Sequence, residues 1–492
     1  MSNLESEKLM RVMLSRARSR NSRPRPGSPF FARQNTIVDE EGDAFSQLQA
    51  PDGSADSALF YSKLRRRFLY RLALALHSYG SSASRTEFLI ERVAERLDIK
   101  VEISVFPALI LLSFTNEDDE TRNDLHLLTV ESDLDAGKLG RVDELANSLG
   151  KHDNELLAAY WKLRVIAMSR SRFEQWWWRV FSYALSACTA ALLFFSGSLS
   201  DAFISSMLGL VVGILDTLSK KSHILGNLIE FAAALLVAFM ARIFTFHLPW
   251  LKLCLSNIVL SSLVQLLPGM ALTLGVSDMV AKSHVMGTSC MIRALFSALQ
   301  LGFGLSIGDR LVWWVHERPS KAQNCEPSSI PIWLNMLWFV GYTVSSSILL
   351  NARLKQWPGM ALASGVGYIV STITARKLGS NGSSVIAALS VGVTGTSYCY
   401  FTGELPLVIN LAGILLLVPG GLGVLGVTAM LQDDVLSGMG FVFKMLVVGL
   451  SITIGLLLAK LVFPPVLLGH GRRSAKGKST LAAEFEEEDM AI

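Results

Sequence analysis

The chain reads as an α-helical polytopic membrane protein, with about ten transmembrane helices arranged as two five-helix inverted repeats and preceded by a small cytosolic α/β domain. Three observations predict this. Of 492 residues, 51% are hydrophobic and 17% charged, against about 25% charged in ordinary soluble domains. The charges are also unevenly placed, since only 28 of the 295 residues from Ser171 to Pro465 carry one. Finally, the apolar stretch matches itself when slid along by 151 residues. A soluble enzyme, a secreted disulfide scaffold and a nucleic-acid binder are excluded; the net charge of +4 sits mainly in tails and helix flanks, where it decides topology.

Residues 1–60 are polar, with Arg11 to Arg33 followed by the acidic run Asp39 to Asp43. Too few apolar side chains are present to offset ordering entropy, so a disordered basic and acidic tail is expected. Residues 64–170 have the composition of a cytosolic α/β domain. Helical spacing recurs over 64–79 and 85–97, strands are expected over 101–114 and 125–130, and two further helices over 142–149 and 155–168. Trp176, Trp177 and Trp178 beside Arg179 then mark the membrane interface.

Ten apolar runs follow, each near the roughly 20 residues that cross a bilayer. They fall at 178–198, 202–219, 224–242, 252–272 and 285–308 in a first half (178–316), and at 332–351, 357–375, 383–400, 405–426 and 438–462 in a second (332–463). A charged tail, 466–492, ends the chain. With Arg164, Arg170, Arg172 and Arg179 ahead of the first span, both termini are expected in the cytosol. Five scattered cysteines form neither a CxxC pair nor a metal-ligand spacing, so free thiols, no metal and no cofactor are expected.

The 151-residue offset superposes Pro268-Gly269 on Pro419-Gly420, Gly287 on Gly438, Arg293 on Lys444 and Gly304 on Gly455. Five spans per half reverses the second half in the membrane, the inverted repeat typical of secondary transporters. Pro-Gly interrupts a helix and frees backbone groups that a polar solute or ion could use. A packing kink without a ligand is the alternative at either site.

Charges inside spans need a partner, water or a purpose. Glu230 is the proton-coupling candidate, because a carboxyl partly withdrawn from water can trade protons near neutrality; a structural pair with Arg293 or Lys444 is the alternative. Asp216 is a further proton-coupling or charge candidate, or else an interfacial i,i+4 pair with Lys220. Arg293 and Lys444 either hold a substrate carboxylate or snorkel. Asn227, Asn257, Gln265 and Asn410 are hydrogen-bonding candidates or interhelical glue. The loop-like Gly471 to Ser479 has five residues between its glycines rather than four and follows no strand, so nucleotide binding is rejected.

The stretch Leu76-His-Ser-Tyr-Gly-Ser-Ser-Ala-Ser-Arg-Thr-Glu87, continuing to Leu97, resembles the first motif of the threonine/serine exporter family. Phe106-Pro-Ala-Leu-Ile-Leu-Leu-Ser-Phe114 and Asp135-Ala-Gly-Lys-Leu139 are similar to its eukaryotic branch, and Leu267-Pro-Gly269 through Thr288 and Leu417-Val-Pro-Gly420 through Gly438 to its membrane halves. The resemblance covers residues 64–465. It implies ten spans, a cytosolic N-terminal domain and proton-driven export of small hydroxy amino acids. Gly80, Arg85 and Glu87 match the first motif, and Pro268, Gly269, Pro419 and Gly420 the membrane motifs, without an assigned chemical role.

The expected function is therefore a secondary transporter of threonine, serine or a related zwitterion, whose partners are that substrate, protons and the lipid bilayer, with no nucleic acid. Self-association stays open. Two other classes compete: a membrane-tethered hydrolase acting through residues 64–168, which lacks any nucleophile motif, and a non-transporting membrane organiser working through its charged tails.

Overall fold

The computed structural model describes residues 54–462 apart from 116–122, 131–132, 150–152, 170, 172, 196, 252, 316–331, 419–420, 422–423 and 427–434. Most of the expected disordered tail 1–60 and all of the tail 466–492 lie outside the described residues. The chain opens with α1 (Ser54–Ser78) and α2 (Ala83–Arg96), then β1 (Val101–Phe106), β2 (Leu109–Thr115) and β3 (Asn123–Thr129), then α3 (Ala136–Ser148) and α4 (Asp153–Met168). Helix α1 starts at Ser54, ahead of the expected 64. The single strand expected over 101–114 is two, because Pro107 and Ala108, the latter at φ 62°, turn the chain between β1 and β2. The three strands pair antiparallel in the order β1-β2-β3, with Ile103 opposite Leu112 and Leu112 opposite His126. Phe68, Leu72, Leu76, Ile90, Ile110, Leu112, Phe114 and Leu139 form one buried core between helices and sheet.

The remainder is helical: α5 (Trp176–Leu193), α6 (Leu199–Ser219), α7 (His223–Asn227), α8 (Ile229–His247), α9 (Leu255–Ser262), α10 (Gly269–Val280), α11 (His284–Val315), α12 (Ile332–Leu349), α13 (Trp357–Thr402), α14 (Pro406–Leu417) and α15 (Val435–Val462). Among the described residues, five helical stretches are long and apolar enough to cross a membrane: 199–219, 229–247, 284–312, 382–402 and 439–462. Their outer faces are apolar. Phe203, Met207, Leu210, Ile214 and Leu218 form an exposed stripe on α6, as do Ile292, Phe296, Leu299 and Phe303 on α11. Apolar stripes of this size on a water-soluble protein would drive association; against lipid they are the expected surface. The chain is a multi-pass helical membrane protein.

Helix α6 sets the direction of the frame. Its 21 residues span about 30 Å. At its start Asp201 is buried, closes a capping box with Ser198 and accepts the N–H of Cys254 at 2.9 Å. Near its end Asp216 pairs with Arg179 of α5 at 3.1 Å. The expected Asp216–Lys220 pair is replaced by this one, because α5 packs along α6 and brings a guanidinium alongside the carboxylate. Cys188 and Cys290 are free thiols, but Cys254 is disulfide-bonded, correcting the expectation of free thiols throughout; spacing along the chain carries no record of loops that meet in space.

Candidate functional site

The apolar run expected as one span over 252–272 is broken. Helix α9 stops at Ser262, turns occupy 263–268, and α10 starts after Pro268, which is buried at φ −76°, ψ 17°. Proline offers no N–H to the preceding turn. In the gap, Nε2 of Gln265 is buried and has no hydrogen-bond partner. An unsatisfied buried donor costs on the order of 1–3 kcal/mol, so this amide is costly as glue and well suited to a ligand. Met270, just past the break, packs into the cluster holding Val408, Leu411 and Ala412 of α14. The same helix carries Asn410, whose Oδ1 is also buried and unpartnered, packed against Gly395 of α13. An amide donor of this kind suits a carboxylate, and an amide acceptor an ammonium. Helix α14 ends at Leu417; Pro419 and Gly420 lie outside the described residues.

Beyond the break, α10 packs between α11 and α15. Leu272 packs against Ala294 of α11 and Met445 of α15. Arg293 and Lys444, the neighbours of those two residues, are exposed on the same helices. Glu230 is in the first turn of α8 and accepts a hydrogen bond from Ser297 Oγ of α11 at 3.1 Å. Among the described residues, neither Arg293 nor Lys444 forms an ion pair with it, and the structure does not bring the three together.

The charged residues of the N-terminal unit have structural partners. Arg85 pairs with Asp143 of α3 at 2.6 Å. Oε1 of Glu87 accepts the N–H of Val105 at 3.0 Å, tying α2 to β1, and burial raises its carboxyl pKa against that bond, with Glu91 adding to the rise. Gly80 is at φ 88° with Leu134 where a β-carbon would stand, a conformation open to glycine.

The ThrE family model, a threonine/serine exporter family, matches residues 67–312, and a second, "Threonine/Serine exporter, ThrE", matches 335–462. The chain belongs to the threonine/serine exporter family. Curated relatives include "Pheromone-regulated membrane protein 10" of Saccharomyces cerevisiae (strain YJM789), 28% identical over 76% of this chain and 48% of that protein. The protein of the same name from strain S288c is 31% identical over 54% of this chain and 67% of the relative, and that of Kluyveromyces lactis 25% identical over 82% and 44%. The chain spans about half the length of the first of these. No solved structure matches.

Two features of this exporter-family chain are not legible as sites in its sequence. The first is a largely buried network where α3 meets the α12–α13 and α13–α14 connections. Arg353 donates to Glu404 at 2.8 Å and lies 3.7 Å from Glu144, Gln356 donates to the same Glu404 oxygen at 2.9 Å, and Ala136 N–H bonds the Leu350 carbonyl at 2.9 Å. Gly137 meets the Asn351 carbonyl where a β-carbon would go, which gives Asp135-Ala-Gly-Lys-Leu139 a docking role. The second is Asp278, buried in the last turn of α10, past the expected end of the fourth span, where burial and the charge of Glu87 push its pKa up to about 6. Its only sequence signal was a lone acid beside a long apolar run.

Proposed function

We propose that the chain is a proton-coupled secondary transporter that exports serine, threonine or a closely related zwitterion. On this reading ten spans form two five-span halves in inverted orientation, 178–316 and 332–463, behind a cytosolic domain over 64–170. Membership of the exporter family carries the reading and favours it over a tethered hydrolase. The architecture has support at the level of single contacts. Helices α9 and α14 start at Leu255 and Pro406, and α11 and α15 at His284 and Val435, both 151 residues apart. A β-carbon on Gly304 would strike Phe231 O, Ala234 Cβ and Leu235 N; one on Gly455 would strike Val385 O, Ala388 Cβ and Leu389 N, each 154 residues on. Equivalent atoms in equivalent contacts are what duplicated halves retain.

Orientation has two supports. The N-terminal unit meets the chain at 350–356 and 403–405 and near 278, all connections that ten spans put on its own side. The bonded Cys254 lies at the other end of α6, and disulfides persist where the compartment is oxidising. In mechanism, the substrate carboxylate is received by Gln265 and backbone N–H groups around the break, the ammonium by Asn410 and free carbonyls, and the proton by Glu230, which a hydroxyl rather than a cation contacts. Counterflow tests the substrate class: proteoliposomes preloaded with unlabelled threonine should accumulate labelled threonine and serine transiently, with alanine and glutamate competing poorly. No exchange of either hydroxy amino acid by folded protein rejects it.

A further inference from the structure

Helix α14 carries Asn410, yet little within the helix fixes where that amide stands. Its 12 residues rise about 18 Å, short of the roughly 30 Å of a bilayer core, and Leu405 at its N-cap supplies no side-chain cap. The helix is seated from outside. Leu405, Val408, Leu411 and Ala412 are buried in the same cluster as Leu350 and Ala352 of the α12–α13 connection and the core of the N-terminal unit. Val408, Leu411 and Ala412 are three and four residues apart and so share one face. Asn410 follows Val408 by two positions, about 200° of turn, and its amide packs on the other side against Gly395 of α13. Any rotation of α14 in its seat therefore carries the amide away from Gly395.

At the head of the helix, one oxygen of Glu404 accepts from Arg353 Nη2 at 2.8 Å and from Gln356 Nε2 at 2.9 Å, and Gln356 Oε1 accepts the backbone N–H of Arg353 at 2.9 Å. The Arg353 and Glu404 side chains are each 11% exposed and Gln356 is fully buried, so the ion pair is sheltered from water and strengthened by it. Helix α3 of the N-terminal unit lies against these groups. A β-carbon on Gly140 would stand 2.9 Å from Gln356 Nε2 and 3.1 Å from Arg353 Nη2. The Ala136 N–H, left over at the start of α3, bonds the Leu350 carbonyl left over past the end of α12. Contact thus runs from α3 through Arg353 and Gln356 to Glu404, and Leu405 alone separates Glu404 from α14. We infer that the N-terminal unit, acting through the α12–α13 connection, sets the orientation of α14, and that Arg353 and Glu404 are positioning residues for the amide of Asn410. The inference rests on the reading that this amide receives the substrate ammonium. It gives the N-terminal unit a part in substrate affinity without touching substrate: with the Arg353–Glu404 link broken, α14 turns in its seat and the site loses an aligned acceptor.

The test compares full-length protein in proteoliposomes by threonine counterflow, read as half-saturation and maximal rate, and in lipid nanodiscs by backbone hydrogen exchange. The variants are Arg353→Gln, Gly140→Ala and Asn410→Ala, with the first two also combined with the third. Alanine suits a helix better than glycine, so Gly140→Ala acts through the two side chains its β-carbon crowds, and it answers the question should Arg353→Gln misfold. Arg353→Gln and Gly140→Ala should each raise the half-saturation concentration at least fivefold with the maximal rate within about twofold of wild type, the mark of lost binding. Asn410→Ala should raise it at least tenfold, and each combined variant no further than Asn410→Ala alone, since effects routed through one group do not multiply. Hydrogen exchange over 407–412 should quicken at least threefold in Arg353→Gln and Gly140→Ala and stay at the wild-type rate over 444–456 of α15. Multiplying effects in the combined variants overturn the inference, as does an unaltered half-saturation in Asn410→Ala or unaltered exchange over 407–412. If wild-type protein moves no hydroxy amino acid, the substrate reading falls, and the hydrogen-exchange arm still decides whether the N-terminal unit orients α14.

Discussion

Arg85 and Asp143 show what a motif residue does at the smallest scale. Asp143 is buried and Arg85 is a third exposed, so removing the guanidinium leaves a carboxylate short of a partner at a cost of roughly 1–3 kcal/mol. Arg85→Ala should lower the thermal midpoint in nanodiscs while Arg85→Lys recovers part of the loss; an unchanged midpoint would remove the structural role. Asp278 sets a pH dependence. Its folded pKa of about 6 lies above the ordinary 3.8, so the folded chain binds the extra proton. That stabilisation is fully present below about 3.8 and is lost as pH rises through about 6. Its full size is on the order of 3 kcal/mol at 1.36 kcal/mol per unit. His77 runs the other way: buried without a partner, its pKa is lowered by burial, so stability falls as pH drops below 6.5. Thermal midpoints from pH 3.5 to 7.5 should therefore show Asp278→Asn losing the decline between about pH 4 and 6 and keeping the acid-side decline of His77, and a profile identical to wild type would contradict this.

At the scale of elements, the broken α9–α10 pair separates stability from function. Gln265→Leu removes an unsatisfied donor and fills the same space, so the protein should be as stable as wild type or more so, while threonine exchange falls at least tenfold. Loss of both together would mean that Gln265 is structural. The matched crossings make a second prediction: Gly304→Ala and Gly455→Ala should destabilise by similar amounts, about 1–3 kcal/mol each, and very unequal losses would speak against equivalent packing. The interruption near Pro268 was legible because proline's missing donor is a property of the residue itself. The β1–β2 turn at Pro107–Ala108 was not, because continuous apolar character hid a two-residue reversal. The i,i+4 spacing of Asp216 and Lys220 is visible along one helix, whereas Arg179 reaches Asp216 from another.

For the whole molecule, hydropathy gave the membrane class and family motifs gave the lineage, since both are carried by local runs of residues. The join between the N-terminal unit and the connections that flank α13 was out of reach. Arg353, Gln356 and Glu404 are ordinary polar residues in connections and Glu144 an ordinary acid on α3, and only the fold brings them within 2.8 to 3.7 Å. Glu230 was read as lying well inside its span, yet α8 begins at Ile229 after the short helix α7, which puts the carboxyl in a first turn beside Ser297.

The most direct measurement is accumulation of labelled threonine in proteoliposomes under an imposed pH gradient, wild type beside Glu230→Gln at equal insertion. The account predicts uphill, saturable accumulation that collapses when the gradient is dissipated, and in Glu230→Gln only exchange without accumulation. Gradient-independent flux in wild type, or full accumulation by Glu230→Gln, would contradict it.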